Sequence, residues 1–241
     1  MTNDTPSSTI LPDDRRKSFR TEQAVEVGVF LFLIVPSIVV SFFTVGQGNQ
    51  GFVLTAVSVI LHDLQLAGLV LFFLWRNSEP LGSIGWTAKD WPRQIALGIL
   101  LFPVMFFGAG LTAWLFQKVG FSIPHSGMRT VLSVHRWTQA PLACLLVAVV
   151  AICEETIFRG YLLLRFAAVS RSLPCAVFLS TLVFTMGHGY EGVAGLAGVG
   201  VMGLVFALVY LRTQCLVAPI VLHFLQDFIG VLVVPLLSGG Q

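Results

Sequence analysis

Residues 152–160 read ICEETIFRG, and the stretch before them, Pro141 to Cys153, carries no charged side chain. Two adjacent carboxylates, Glu154 and Glu155, thus end a run of Leu, Val, Ala and Ile. Arg159 follows Glu155 by four residues, so on a helix the two share a face and can pair. Glu154 then points about 100° away and is left for another partner. His188 closes a second apolar stretch, and His223 and Asp227, again four apart, lie on one face of a third.

These residue types suit hydrolysis. A glutamate beside a histidine can take a proton from water and return it to a leaving amine. Two histidines and a carboxylate with an open position would equally suit a catalytic zinc ion. His223 or Asp227 could orient a partner or stabilise a developing oxyanion. The bland alternative is a set of hydrogen bonds linking helices in a bundle core.

The elements that must position these groups are membrane helices. Of 241 residues, 56% are hydrophobic and 11% charged, with mean hydropathy +0.86. A soluble domain carries about 25% charged residues, so this composition predicts an all-α, polytopic membrane bundle. A helix needs roughly 20 apolar residues to cross a bilayer. Seven stretches qualify: about 24–45, 52–75, 94–117, 139–168, 173–189, 192–211 and 215–236. Residues 1–23 read as a polar cytoplasmic tail, lying on the surface or disordered. The first apolar stretch has no convincing cleavage site after it and reads as a retained span. Residues 24–136 would hold the first three helices and 137–236 the catalytic core.

Net charge of +2 gives no reason to expect nucleic acid as a partner. Lys and Arg asymmetry predicts orientation. With the N-terminus cytoplasmic, ten of thirteen Lys and Arg fall on the cytoplasmic side, Arg159 being set aside as intramembrane. The four cysteines, Cys144, Cys153, Cys175 and Cys215, form no CxxC pair and read as small buried hydrophobes. The glycines of GVAGLAGVGVMG, from Gly192 to Gly203, favour close helix packing.

Charged and polar groups deep in a membrane face the bundle interior or a water-filled cavity and mark function. The turn VSRSLP centres near Arg171, with Glu154 seventeen residues before it and His188 seventeen after. In an antiparallel hairpin the two come level, roughly 25 Å from the turn at about 1.5 Å per residue. His223 would lie roughly 15 Å from its own turn near Thr213 by the same rise. One carboxylate, two imidazoles and a second carboxylate can therefore converge.

The three segments resemble a known family. EETIFR matches the EExxxR motif of the CPBP (Abi) intramembrane proteases, which include the type II CAAX prenyl endopeptidases. FTMGH, Phe184 to His188, matches the family's FxxxH motif, and HFLQD, His223 to Asp227, resembles its HxxxN/D motif. The order and the placement in successive apolar segments fit as well. The resemblance covers about residues 137–236 and implies peptide-bond hydrolysis within the membrane. It implies that Glu154 activates water with His188, that His223 and Asp227 stabilise the oxyanion or bind a metal, and that Glu155 and Arg159 form a supporting pair. A divalent ion, zinc first, would draw its ligands from Glu154, His188, His223 and Asp227, and a metal-free mechanism stays open. Asp227 stands where CAAX enzymes typically carry Asn. An ionised acid donates no hydrogen bond to an oxyanion but ligates metal better.

The expected partners are the lipid bilayer and a peptide or protein substrate at the membrane. The compact chain with short loops reads as a prokaryotic plasma-membrane protein, whose substrate would be a leader, signalling or bacteriocin-related peptide. His62 and Asp63 match no family motif and read as a local polar contact. His125 and His135 read as solvated loop residues, and Glu191 as lying at the outer interface. Two other functions stay open: a non-catalytic scaffold or immunity protein that keeps the fold, and a proton-coupled transporter, for which no internal repeat is visible.

Overall fold

The computed structural model describes residues 13–43, 51–88, 90–123, 132–134 and 136–238. His125 and His135 lie outside them. Seven helices account for the fold: α1 (Asp13–Phe43), α2 (Phe52–Arg76), α3 (Trp91–Lys118), α4 (Trp137–Ser170), α5 (Leu173–Gly187), α6 (Gly192–Thr213) and α7 (Val217–Leu237). Among the described residues there is no strand. Six helices are long and apolar enough to cross a membrane, and α5 is a shorter apolar helix of 15 residues. The chain is an integral, multi-pass membrane protein built as a helical bundle.

The outward faces confirm lipid as the solvent. Phe32 is 77% exposed, Leu100 73% and Val104 74%. Exposed apolar surface this continuous is not tolerated in water. The hydrophobic effect cannot drive helices together in lipid, so packing relies on close approach and interior polar contacts. Gly98 of α3 shows the approach: an added Cβ would stand 2.8 Å from Val221 and 2.9 Å from the Ala218 carbonyl of α7. Gly198 of α6 meets the Ala109 carbonyl of α3 in the same way, at 3.1 Å. α3 thereby clasps both α6 and α7, while α2 lies along the first half of α4.

Helix α1 begins at Asp13 and runs through residues expected to form a tail. Its Gln23 and Glu26 are buried. Glu26 is held by a polar knot invisible in the sequence pattern. Arg165 of α4 pairs with Glu79, Nη2 to Oε1 at 2.8 Å, and with Glu26, Nε to Oε2 at 3.3 Å. Tyr161 and Asn77 also donate to Glu26, at 2.9 and 2.7 Å. Arg165 is 1% exposed.

The hairpin of α4 and α5 turns where the sequence places it. Arg171 adopts a left-handed conformation (φ 57°) and stops α4. Ser172 caps α5 by accepting from the Cys175 amide at 3.3 Å, and Pro174 sits in the first helical turn, where no amide is needed.

Candidate active site

Both helices that carry the motif acids open into π-helical turns beside them. In α4 the α-helix ends at Glu155 and a π segment spans Thr156–Leu162. In α7 it ends at Asp227 and a π segment spans Phe228–Val233. Such bulges recur at functional sites, and each needs outside support. Ser180 donates to the Phe158 carbonyl at 2.6 Å. The Val134 amide donates to the Val231 carbonyl at 3.0 Å. Thr156 donates to Ile152 O at 2.7 Å and accepts from the Trp86 indole at 3.1 Å. Gly160 lets the α4 backbone press against the turn Leu81–Ile84: an added Cβ would meet the Ile84 carbonyl at 2.8 Å.

Glu155 is fully buried beneath the site. Its Oε1 accepts from Arg159 Nη1 at 2.8 Å, the pair expected from spacing. The same oxygen accepts from His223 Nδ1 at 2.9 Å, a link the sequence did not suggest. Arg159 Nη2 donates to Gly203 O at 3.2 Å. The guanidinium lies 4.1 Å from the Phe184 ring centroid and 4.9 Å from that of Phe206. Planar cations gain from such faces when desolvated. Gly203 has no room for a Cβ, which would stand 2.9 Å from Phe184. The α6 glycines therefore serve packing, here around the buried arginine.

With Nδ1 donating to Glu155, His223 presents Nε2 to Glu154 Oε2 at 3.8 Å and to Asp227 Oδ2 at 3.4 Å. Phe206 stacks on its ring at 5.2 Å and 23°, and Phe184 meets it edge-on at 5.9 Å. His188 caps α5, and its Nδ1 lies 2.9 Å from Phe184 O. A carbonyl only accepts, so Nδ1 carries the hydrogen, and a neutral ring then has its lone pair on Nε2.

Glu154, His188, His223 and Asp227 all line one cavity of about 930 Å³, with Phe184 and Phe206 in its wall. The structure thus brings together the four residues expected to react and sets Glu155 and Arg159 behind them. It also adds groups that sequence reading placed elsewhere. Asp63 is buried, its Oδ1 3.3 Å from His62 Nδ1, and both line this cavity. The expected polar contact is present, but it faces the site. Glu191, in the turn between α5 and α6, is buried on the cavity wall. The short turn Gly189–Glu191 tucks against α1 and α6, where Gly195 gives the Glu191 side chain space. An acid in a predicted membrane helix was the available signal for Asp63.

A zinc ion needs three or four ligands at about 2.0–2.2 Å. Glu154, His188, His223 and Asp227 are donors of the right type, and His223 Nε2 and Asp227 Oδ2 are spaced as two ligands of one ion could be. Among the described residues no three His, Cys, Asp or Glu side chains are arranged to hold an ion. The donor types fit a metal and the spacing does not complete a ligand set. The cysteines take no part: all four are free, with Cys153 and Cys215 buried.

Residues 136–229 match the family model for type II CAAX prenyl endopeptidase Rce1-like proteins. No curated protein and no solved structure matches the chain. The matched stretch runs from the start of α4 into the π segment of α7 and contains EETIFR, FTMGH and HFLQD, the segments whose side chains meet at the cavity. Over these residues the chain is thus similar to the type II CAAX prenyl endopeptidases of the CPBP family, and α4 to α7 form an Rce1-like core.

Proposed function

We propose that the chain hydrolyses an internal peptide bond of a membrane-associated substrate, with Glu154 as the general base. The observation that carries this is the placing of His223 Nε2 between the carboxylates of Glu154 and Asp227, at 3.8 and 3.4 Å, on the wall of one cavity. Water between Glu154 and the substrate carbonyl gives one proton to the carboxylate, and its oxygen bonds to the carbonyl carbon. The tetrahedral oxyanion takes a hydrogen bond from a protonated Nε2 of His223. Collapse breaks the C–N bond, and the proton held by Glu154 passes to the leaving amine. The second water proton stays with the new carboxyl group. His188, with its lone pair on Nε2, orients the water or carries the proton across. Glu155 and Arg159 act through His223, Glu155 by orienting its ring and balancing its charge and Arg159 by holding Glu155, and are positioning residues.

A metal-assisted form is a second reading, favoured by the 3.4 Å spacing of His223 and Asp227. An ion would draw on those two with Glu154 and His188 and would act as a Lewis acid on the carbonyl. No step above depends on it. A peptide-cleavage assay of the full chain in lipid nanodiscs, against Glu154→Gln, tests the enzyme reading. Cleavage lost in a well-folded variant supports it, and wild-type rates in the variant remove Glu154 from the role of base. A scaffold would keep its biological function in the same variant, and a proton-coupled transporter would cleave nothing.

A further inference from the structure

Asp63 stands on α2, and the chemistry above makes no use of it. It is 6% exposed. Its Oδ1 is taken by His62, and its Oδ2 is buried with no hydrogen-bond partner. Leaving a carboxylate oxygen buried without a donor is costly. That cost is recovered when a donor enters the cavity the residue lines. Asp63 lines the same cavity as Glu154, His188, His223 and Asp227, so a group bound there shares the space of the reacting atoms.

The charge balance of the cavity says which donor. Asp63, Glu154, Glu191 and Asp227 line it beside His62, His188 and His223, so carboxylates outnumber imidazoles, and among the described residues no lysine or arginine lines it. Arg159 lies behind the wall, held by Glu155 and Gly203. A cation entering this low-dielectric space is attracted, and a carboxylate is repelled. Glu154 and Asp227 already face His223. Asp63 Oδ2 faces no such partner.

We propose that Asp63 is a specificity residue that accepts the ammonium or guanidinium of a lysine or arginine on the peptide substrate, close to the scissile bond. This rests on the endopeptidase reading. An extended peptide advances ~3.3 Å per residue, so varying each position in turn locates the basic residue relative to the cleaved bond. A free terminal carboxylate is disfavoured at the same place.

The test uses the full chain in nanodiscs and an internally quenched apolar peptide series. Lysine, arginine, norleucine and glutamate replace each position in turn. At one position near the cleaved bond, lysine and arginine should exceed norleucine in kcat/KM by about 10- to 100-fold, as for a hydrogen bond to a charged group. Glutamate should be the poorest there. Asp63→Asn should bring the lysine-to-norleucine ratio close to one. A parallel measurement takes the Glu154→Gln chain and fluorescein-labelled lysine and norleucine peptides, and should give the same ratio in Kd. Equal cleavage or binding at every position, measured on chains with native Asp63, overturns the assignment. So does a preference that survives Asp63→Asn in a chain of unchanged melting temperature. If nothing is cleaved yet the lysine peptide binds selectively, the endopeptidase reading falls and the Asp63 site stands.

Discussion

His223 Nδ1 lies 2.9 Å from Glu155 Oε1, the oxygen that also carries Arg159 at 2.8 Å. One buried carboxylate atom thus ties the α7 imidazole to the α4 arginine. Orientation of His223 depends on Glu155, and the charge of Glu155 depends on Arg159 for compensation. Glu155→Gln should therefore lower kcat with little change in KM, since the ring loses the carboxylate that orients it and balances its charge while the substrate cavity stays. Stopped-time peptide cleavage over a substrate range measures this. A rise in KM alone would place Glu155 in substrate binding.

Glu154→Gln should behave differently. Glu154 is only partly buried and faces the cavity, so the isosteric amide should insert and fold as the parent does. Cleavage should fall about 10²–10⁴-fold, the usual contribution of a general base. Rates and melting temperature on the same preparation give both readouts.

Arg159→Ala should cost stability as well as activity. Removing one member of a buried pair costs about 3–5 kcal/mol in soluble proteins. Here the loss includes the faces of Phe184 and Phe206 and the bond to Gly203 O. Lower yield and a lower melting temperature are expected together. A variant of native stability and no activity would assign Arg159 to the substrate instead.

Asp227→Asn separates the two forms of the mechanism. Without a metal, the amide can donate to the oxyanion, and activity should be kept or raised. With a metal, a neutral amide is the poorer ligand, and both occupancy and activity should fall. Elemental analysis of the wild type, followed by the variant assay with and without a chelator, distinguishes them. One ion per chain and loss of activity on chelation would establish the metal-assisted form.

Gly160→Ala should destabilise the fold without touching a reacting group. Its Cβ would stand 2.8 Å from the Ile84 carbonyl, a backbone atom that cannot swing aside. Overpacking of this kind costs about 1–3 kcal/mol. Thermal unfolding in detergent reads it directly. An unchanged melting temperature would mean that the turn Leu81–Ile84 moves freely away from α4.

The sequence alone determined the class of the fold and the cast of the site. Hydropathy over seven stretches gives the helices, because a lipid-facing backbone must satisfy its own hydrogen bonds. Spacing by four gives the Glu155–Arg159 pair, because one helical turn is local geometry. Motif order gives Glu154, His188, His223 and Asp227 as a set. Tertiary structure decided the rest. His223 meets Glu155 across 68 residues of sequence, and no local periodicity encodes a contact between α4 and α7. Asp63 lies far upstream of every motif, and only the packing of α2 against α4 turns it toward the cavity. Glu26, Glu79 and Arg165 stand out in no sequence pattern, yet they bury together, because three distant segments supply the partners that make burial of charge affordable. The π turns after Glu155 and Asp227 are likewise beyond a hydropathy pattern: their loosened carbonyls are satisfied by Ser180 and Val134, residues from other parts of the chain.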